Sequence, residues 1–378
     1  MKVLHIITGL GVGGAEQQLR LLLRHLPARC DVVTLTNPGP VADGLTADGV
    51  RVVHLGMSGN RDLRALPRLT ALIRAGRYDL VHTHLYRACL YGRLAARIAG
   101  VRAVVATEHS LGEAHLEGRP LTAGVRGLYL AGERLGRATV AVSPTVADRL
   151  RRWGVPAQRI HVVPNGIDAG RFRFDPRARA RVRAGLGLSE EAVLIGAVGR
   201  LTPPKRFDVL IDALPQLPPT HHLVLVGDGP EAPALREAAR GAGVAARVHF
   251  TGECPPQTEP GNAGSPFPAE DATLPELLSA MDVLASPSPE ETFGLAVLEG
   301  LAAGLPVVYA DCPALDDLPT GRPTRAHRVP STPQAFTDAL RHPPAPRDRT
   351  TADDAVHHYD IAHSATRLTR VYERVTSR

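Results

Sequence analysis

Short apolar runs rich in β-branched residues alternate along the chain with longer segments whose apolar residues recur at helical spacing. The first half contains the runs KVLHII, DVVTL, RVVHL, DLVHTH, AVVAT, TVAVS and IHVVP, and the second half continues with AVLIGAVG, HLVLVG, RVHFTG, DVLAS and PVVYA. This alternation predicts βαβ units, in which crossover helices join parallel strands. The sequence therefore predicts an α/β protein with two doubly wound parallel sheets in tandem.

The first series of strands ends in a stretch rich in Pro, Gly and Arg that opens with the turn signal Asn165-Gly166. We predict an N-terminal domain over residues 1–185 and a second domain over residues 186–355. Residues 356–378 have apolar side chains at helical spacing, which predicts a helix packing back on the first domain. Residues 253–273 are predicted to be a mobile surface loop, and residues 312–352 are Pro-rich without a regular pattern.

The composition is that of a globular protein. The chain has 378 residues with 44% hydrophobic and 4% aromatic content, which is too long for one core. The first apolar run is too short for a signal peptide or a membrane span, and no later run approaches the roughly 20 residues that a spanning helix needs. The four cysteines stand singly, without a C-x-x-C pair, which favours neither disulfides nor a zinc site. We predict a cytoplasmic location.

Charge is distributed unevenly around the net value of +6. Residues 1–180 contain 26 Lys and Arg against 13 Asp and Glu, whereas the remainder is acidic. A basic first half favours an anionic partner such as a lipid phosphate or a membrane surface, although an Arg-rich solvated surface explains the count equally well. The arginines are dispersed and lack interleaved aromatic residues, which argues against nucleic acid as a partner.

The segment PEETFGLAVLEGLAAGLPVV is the strongest chemical signal. Glu291 and Glu299 stand eight positions apart, around a turn that leads from strand DVLAS into an apolar helix. Open α/β sheets bind ligands at the carboxyl ends of their strands, and a carboxylate there can accept two hydroxyl protons from a sugar. The backbone N–H groups of Phe293, Gly294 and Leu295 would face an anion at the start of this helix.

Two further loops of the second domain follow predicted strands. Gly199-Arg200 ends one strand and Lys205 follows five residues later, so that two cations are available to neutralise a diphosphate. A basic loop that merely caps a helix is an equally good explanation on spacing alone. Gly227 and Asp228 end the next strand, in VGDGPE.

Three loops of the first domain also carry candidate residues. Gly13 and Gly14 lie between the first strand and a helix, but the glycines run G-x-G-x-G-G and an NAD site is not predicted. His109 follows strand AVVAT at its carboxyl end. His82 and His84 alternate on one face of DLVHTH and could ligate a metal, yet no third ligand is evident, so we predict packing and hydrogen bonding for them. The chain also lacks a D-x-D triplet, and no metal site is predicted.

Together these motifs resemble glycosyltransferase family 4. The resemblance covers about residues 2–310 and rests on E-x7-E with the following A-x-G-x-P-V-V, on G-R-x-x-x-x-K, and on G-G-A-E. It implies a GT-B fold, with two Rossmann-like domains facing across a cleft. The first domain would bind the acceptor and the second a nucleotide-sugar.

The resemblance also implies roles for single residues. Arg200 and Lys205 would clamp the diphosphate, Glu299 the ribose and Glu291 a sugar hydroxyl. His109 would contact the transferred sugar and is predicted, with Glu291 and the two cations, to be catalytic. The remaining predicted donor-binding residues are Gly13, Gly14, Gly199, Gly227, Asp228, Phe293, Gly294 and Leu295.

The implied function is retaining transfer of a sugar from a nucleotide diphosphate, without a metal or other cofactor. UDP is favoured over dTDP and GDP, and the acceptor would be a lipid-linked, glycan or natural-product hydroxyl, with peripheral contact to an anionic membrane as an option. Alternatives on the same fold are a sugar phosphorylase, a nucleotide-sugar epimerase and a non-catalytic nucleotide-sugar-binding subunit.

Overall fold

The computed structural model describes residues 1–59, 62–113, 115–117, 119–254, 271–342, 349 and 353–377. The chain divides into two units. The first comprises Met1–Gly166 and Ile361–Arg378, and the second comprises Ile167–Asp360. Each unit is built on its own parallel sheet, which confirms the predicted α/β class with two Rossmann-like domains.

In the described part of the first unit, seven parallel strands form one sheet in the order β3-β2-β1-β4-β5-β8-β9, and β6 and β7 form a short hairpin. The strands are β1 (Lys2–Ile7), β2 (Arg29–Thr34), β3 (Arg51–His54), β4 (Leu80–His84), β5 (Val104–Glu108), β6 (His115–Leu116), β7 (Arg119–Pro120), β8 (Ala138–Ala141) and β9 (Ile160–Val162). The α-helices of the first segment are α1 (Gly14–Leu23), α2 (Gly39–Ala47), α3 (Ala65–Gly76), α4 (Tyr86–Ala99), α5 (Ala123–Glu133) and α6 (Pro144–Trp153), and a 3-10 turn spans Ala157–Arg159.

Both faces of this first sheet are covered, which is why its central strands are almost continuously apolar. One face of β1 packs through Val3 and Ile7 on a core that includes α1 and the C-terminal helix. The other face packs through Leu4 and Ile6 on α3 and α4. The core layer beneath the C-terminal helix also contains buried histidines, which lie close to Tyr372.

In the described part of the second unit, six parallel strands form a sheet in the order β12-β11-β10-β13-β14-β15. The strands are β10 (Val193–Val198), β11 (His221–Val226), β12 (Val248–Gly252), β13 (Val283–Ser286), β14 (Val307–Tyr309) and β15 (Ala326–Arg328). The α-helices are α7 (Pro176–Gly185), α8 (Asp208–Ala213), α9 (Ala232–Gly241), α10 (Leu274–Ala280), α11 (Leu295–Ala302), α12 (Pro313–Asp316), α13 (Pro333–Arg341) and α14 (Asp354–His358). Shorter 3-10 turns span Ala169–Phe172, Pro203–Lys205, Leu214–Gln216 and Ala245–Arg247.

The C-terminal helix α15 (Ile361–Thr376) belongs to the first unit. Its apolar side chains, among them Leu368 and Val371, join the core that covers one face of the first sheet. Within the described residues no helix is both long enough and apolar enough to cross a bilayer.

The units divide at Gly166, earlier than the predicted boundary near residue 185. The intervening helix α7 is anchored in the second unit, because Arg179 and Arg183 both form ion pairs with Asp282. Most of the predicted 253–273 loop, residues 255–270, lies outside the described residues. The expectation of irregular structure over 312–352 is wrong in part, because α12, β15 and α13 form there.

Candidate functional site

The predicted donor-binding residues of the second unit lie at one edge of its sheet. They follow β10, β11 and β13, or stand in the helix after β13. From β10, successive strands β11 and β12 are added on one side of the sheet, and strands β13, β14 and β15 are added on the other. The switch point of the strand order therefore lies between β10 and β13. Ligands of open α/β sheets bind at such a switch point, beyond the carboxyl ends of the strands.

The loops after β10 and β13 meet through an ion pair. Lys205 lies in the 3-10 turn Pro203–Lys205, where prolines are accommodated because the first residues of a helical turn need no N–H partner. Its Nζ donates to Oε1 of Glu291 at 2.5 Å. The Glu291 side chain is 13% exposed and that of Lys205 is 32% exposed. Arg200 also follows β10, but its side chain is exposed to solvent.

The glycines that end β10 and β11 allow their loops to touch. Gly199 has a φ of 149° and Gly227 a φ of 129°. A Cβ on Gly227 would overlap the carbonyl oxygen of Gly199. The carbonyl of Asp228 accepts a hydrogen bond from the N–H of Leu201 at 2.9 Å, which ties the two loops together. The carboxylate of Asp228 accepts the N–H of Gly229 at 2.7 Å.

Helix α11 begins after a residue whose backbone conformation only glycine adopts without strain. Gly294 has a φ of 98° and, as a glycine, has no side chain that could accept a hydrogen bond as the N-cap. The amides of the first turn, including Leu295, therefore point beyond the helix start as donors for an anion. Phe293 is buried, with its ring perpendicular to that of Tyr359 at 5.1 Å.

The two glutamates of the E-x7-E segment have different surroundings. Glu299 lies in α11, where burial raises its pKa to about 7 against the opposing effect of Arg171. The backbone N–H of Glu291 donates to Oδ2 of Asp311 at 2.7 Å. Burial raises the pKa of Asp311, a residue that our sequence analysis missed. Its position directly after strand PVVYA was the available signal.

In the first unit, His109 ends a row of three hydrogen-bonded imidazoles. Nδ1 of His84 lies 3.1 Å from Nε2 of His109, and Nε2 of His84 lies 3.0 Å from Nδ1 of His5. Burial lowers the pKa of His109 to about 4 and that of His5 to about 3. His82 lies beside this row, and its ring nitrogens contact the hydroxyls of Tyr372 at 2.6 Å and Thr107 at 2.7 Å.

The position of His5 corrects the expectation that no third potential metal ligand lies near His82 and His84. Because β1 and β4 are neighbours with His5 opposite His82, the structure places His5 within 4.8 Å of both. His5 stands in the first strand, KVLHII, and it would have been found by asking which polar residues share a sheet face with DLVHTH.

Two features mark the switch point of the first sheet, between β1 and β4. Gly13 precedes α1, which begins at Gly14, and a Cβ on Gly13 would overlap the carboxylate of Glu16. After β4, Leu85 has a φ of 71° and a ψ of 154°, a conformation that is essentially reserved for glycine. Such strain costs about 1–3 kcal/mol and clusters at functional sites. A leucine in sequence gives no sign of it.

Comparison with known proteins covers both halves of the chain. Residues 12–171 match the family model described as Glycosyltransferase Family 4, and residues 192–342 match that of Glycosyl transferases group 1. The D-inositol 3-phosphate glycosyltransferase of Xylanimonas cellulosilytica is 33% identical over 300 residues, which cover 72% of this chain and 67% of that protein. Its counterpart in Salinispora tropica is also 33% identical, over 72% of this chain and 60% of the relative.

Solved structures agree on the fold. The Anabaena protein HepE, in complex with UDP and glucose, has a TM-score of 0.81 and 22% identity, covering 99% of this chain and all of that one. This likeness confirms the predicted GT-B fold class. With both halves matched and relatives one third identical over most of their length, the chain belongs to glycosyltransferase family 4.

Proposed function

We propose that this protein is a retaining glycosyltransferase that uses a UDP-sugar and no metal ion. The observation that carries the proposal is the ion pair of Lys205 with Glu291 at the switch point of the second sheet, next to the uncapped start of α11. It brings together a cation for a diphosphate, a carboxylate for a sugar and helix amides for an anion. Binding of UDP by the similar Anabaena protein supports the choice of base.

Each group has one task in this scheme. Lys205 and Arg200 neutralise the departing diphosphate, whose charge would otherwise be held by a metal. The amides of Phe293, Gly294 and Leu295 add donors, and Gly199 and Gly227 let the chain approach the ligand closely. Glu299 accepts the ribose hydroxyls, and Asp228 lies near the base and ribose.

In the first unit, His109 contacts the transferred sugar, while Gly13 and Gly14 shape the loop beside it. Glu291 accepts a sugar hydroxyl. Retention follows if the acceptor attacks the face from which the diphosphate departs, with a diphosphate oxygen taking the acceptor's proton. We propose this course because the family resemblance implies it.

Calorimetric titration tests the donor site. We expect UDP to bind in EDTA. We expect Arg200→Ala combined with Lys205→Ala to weaken binding by about 100-fold or more, since two charge-assisted hydrogen bonds of roughly 1.5–3 kcal/mol each are lost. Glu299→Ala should also weaken it. Arg206→Ala is the matched control, because this neighbouring cation is already bound by Asp208. Unchanged UDP binding in the double variant would contradict the proposed diphosphate clamp. Tighter binding of dTDP or GDP than of UDP would contradict the proposed base of the donor.

Product analysis separates transfer from the alternatives. We expect wild-type protein with a UDP-sugar and an acceptor hydroxyl to release UDP and form a glycoside with retained anomeric configuration. A requirement for inorganic phosphate would indicate a phosphorylase. Loss of the donor without an acceptor would indicate an epimerase, and binding without turnover would indicate a non-catalytic subunit.

We further propose that the acceptor is anionic. The basic balance of residues 1–180 supports this, as does the inositol phosphate in the names of the relatives. A sugar phosphate and a lipid phosphate share the required chemistry. A comparison of phosphorylated acceptors with their dephosphorylated forms tests it, and equal rates for both forms would contradict it.

A peripheral contact of the first unit with anionic membrane is the last part of the proposal. Helices α4 and α5 contact each other where Gly132 meets Leu90. Their outer surface exposes Leu94, Ile98 and Leu128 to 40%, 46% and 53%. Exposed arginines also occur on α4, on α5 and directly after α5, namely Arg97, Arg126 and Arg134. Apolar and basic side chains together are typical of surfaces that lie on anionic bilayers.

A further inference from the structure

A cavity opens in the first unit at the edge of the sheet opposite to His109. It is lined by the segments that lead into β4, β5 and β8 and by the carboxyl-terminal ends of α3, α4 and α15. Because these parallel strands all start at one edge, the cavity lies at their amino ends, whereas His84 and His109 lie at the carboxyl ends. Its volume of about 700 Å³ is within the range of roughly 300–1,000 Å³ that is usual for small-molecule sites.

Basic side chains dominate this cavity, which we name the arginine cavity. Its lining contains four arginines, at or after the end of α3 and before β5 and β8, namely Arg74, Arg77, Arg102 and Arg137. Among the described residues of the lining, the one acid is Asp79, and its Oδ2 accepts the backbone N–H of Lys2 at 2.7 Å. In the part of the chain that the structure describes, no carboxylate forms an ion pair with any of the four guanidinium groups.

Two of the four arginines have a structural task at helix ends. Nη2 of Arg74 donates to the carbonyl of Ile98 at 2.7 Å, in the last turn of α4. Nη1 of Arg137 donates to the carbonyl of Val375 at 3.0 Å, in the last turn of α15. Such contacts satisfy carbonyls that a helix leaves without an internal partner at its end. They also hold the two guanidinium groups in place at the cavity.

Arg77 and Arg102 have no comparable task. Both residues are exposed, and neither side chain has a hydrogen-bond partner among the described residues. Arg77 also has a left-handed backbone, with a φ of 49° and a ψ of 54°, at the C-cap of α3, where glycine would be free of strain. A strained position that carries a long cationic side chain indicates a role for that side chain beyond folding.

The balance of charge in the cavity favours an anion in spite of the helix ends. Three helices end at the cavity, and each carboxyl-terminal end carries about −0.5 elementary charge. With Asp79 they contribute about −2.5, against four positive charges from the arginines. The arginine charge is therefore the larger effect. A guanidinium group also matches the oxygens of a phosphate with two parallel donors.

We propose that the arginine cavity is a second ligand site, separate from the proposed donor site, and that it binds an organic phosphate through Arg77 and Arg102. The buried side chains of Ile73, Ala103 and Val375 also line the cavity and suit the organic part of such a ligand. A soluble sugar phosphate and the headgroup of an anionic phospholipid share this chemistry.

Calorimetric titration at low ionic strength tests the site, with inorganic pyrophosphate and glucose 6-phosphate as probes and excess UDP to occupy the proposed donor site. We expect binding to wild type. Arg77→Gln combined with Arg102→Gln should weaken it by about 10-fold, since each contact with an exposed cation contributes up to about a factor of five. Arg64→Gln with Arg367→Gln is the matched control, because these exposed arginines also have no ion pair among the described residues but lie outside the cavity.

Vesicle sedimentation distinguishes the two sources of the phosphate. Binding of a soluble probe identifies a soluble ligand. Binding to vesicles that contain phosphatidic acid, lost in the cavity variant and without binding of a soluble probe, identifies a lipid headgroup. Arg77→Gly separates binding from folding, because it should raise the unfolding midpoint by removing strain and still weaken binding.

The proposal is overturned if no probe and no vesicle binds, or if the control variant loses as much affinity as the cavity variant. The cavity variant should bind UDP as the wild type does, since the cavity takes no part in the donor site. A failure of UDP binding in the wild type would contradict the proposed function, and the comparison of the two variants would still decide the cavity.

Discussion

Gly294 is the residue on which the start of helix α11 depends most. Its φ of 98° lies where a side chain is strained, and a Cβ would overlap Sγ of Cys312. The same Cys312 contacts the carbonyl of Phe293 at 3.5 Å. Strain and overlap therefore act together at the point where the proposed phosphate-binding amides begin.

We predict that Gly294→Ala destabilises the second unit more than Gly187→Ala does. Gly187 also has a positive φ, 67°, but no atom lies within 4 Å of its added Cβ. Both variants acquire the left-handed strain of about 1–2 kcal/mol, and only Gly294→Ala adds an overlap costing roughly 1–3 kcal/mol. Urea unfolding measures the difference. A second change, Cys312→Ala, removes the overlapping Sγ and should restore the part of the free energy of unfolding that is lost to the overlap. Failure to restore it would contradict this account.

At the scale of residues, the sequence predicts single candidate residues but not which of them lie in contact. Glu291, Lys205 and His109 all stand after strands, as the apolar runs before them predict, and their roles in the site stay predictions. The ion pair between Lys205 and Glu291 joins residues 86 positions apart, and only the strand order that places β10 beside β13 reveals it. His5 was missed for the same reason.

Arg349 shows how one side chain fixes two elements. Its guanidinium donates to carbonyls at the carboxyl ends of α10 and α11, namely those of Leu278, Ser279, Met281 and Ala303, at 2.8–3.1 Å. Its guanidinium also stacks over the ring of Phe174 at 4.2 Å. Burial lowers the pKa of Arg349 to about 10, so the side chain stays charged at neutral pH.

We predict that Arg349→Met destabilises the second unit by about 3 kcal/mol, because several buried carbonyls lose a charged donor. UDP affinity should fall as well, since α11 carries Glu299. Arg341→Met at the exposed end of α13 is the control and should change stability by less than about 0.5 kcal/mol. Thermal unfolding and calorimetry measure both effects. Equal midpoints for the two variants would show that the helix ends do not need Arg349.

Elements were predicted where apolar spacing is regular and missed where prolines and arginines dominate. The strands follow the apolar runs closely because both faces of each sheet are buried. Helix α13 was missed although Thr332 caps it and Pro333 begins it, a signal that is visible in Thr-Pro. Helix α7 was assigned to the wrong side of the boundary because its buried face includes Arg183, whose partners lie far away in sequence.

For the molecule as a whole, the distribution of charge along the chain is more informative than the net charge. The net value of +6 conceals a first half with twice as many basic as acidic residues. Within the first unit, α4 and α5 carry exposed arginines together with the exposed side chains of Leu94, Ile98 and Leu128. The excess of basic residues was evident from the sequence. The apolar side chains became identifiable as a surface only when the helices were placed.

Vesicle sedimentation tests the membrane contact. We expect the wild type to bind vesicles rich in phosphatidylglycerol at low salt and to ignore pure phosphatidylcholine, because each basic residue near an anionic surface contributes about 1 kcal/mol. Leu94→Glu with Leu128→Glu should abolish binding by removing apolar area and adding repulsion. Leu63→Glu is the control, since Leu63 is 75% exposed but lies outside α4 and α5. Binding that survives the double change, or that is lost equally in the control, would mean that general charge rather than this surface holds the protein to the bilayer.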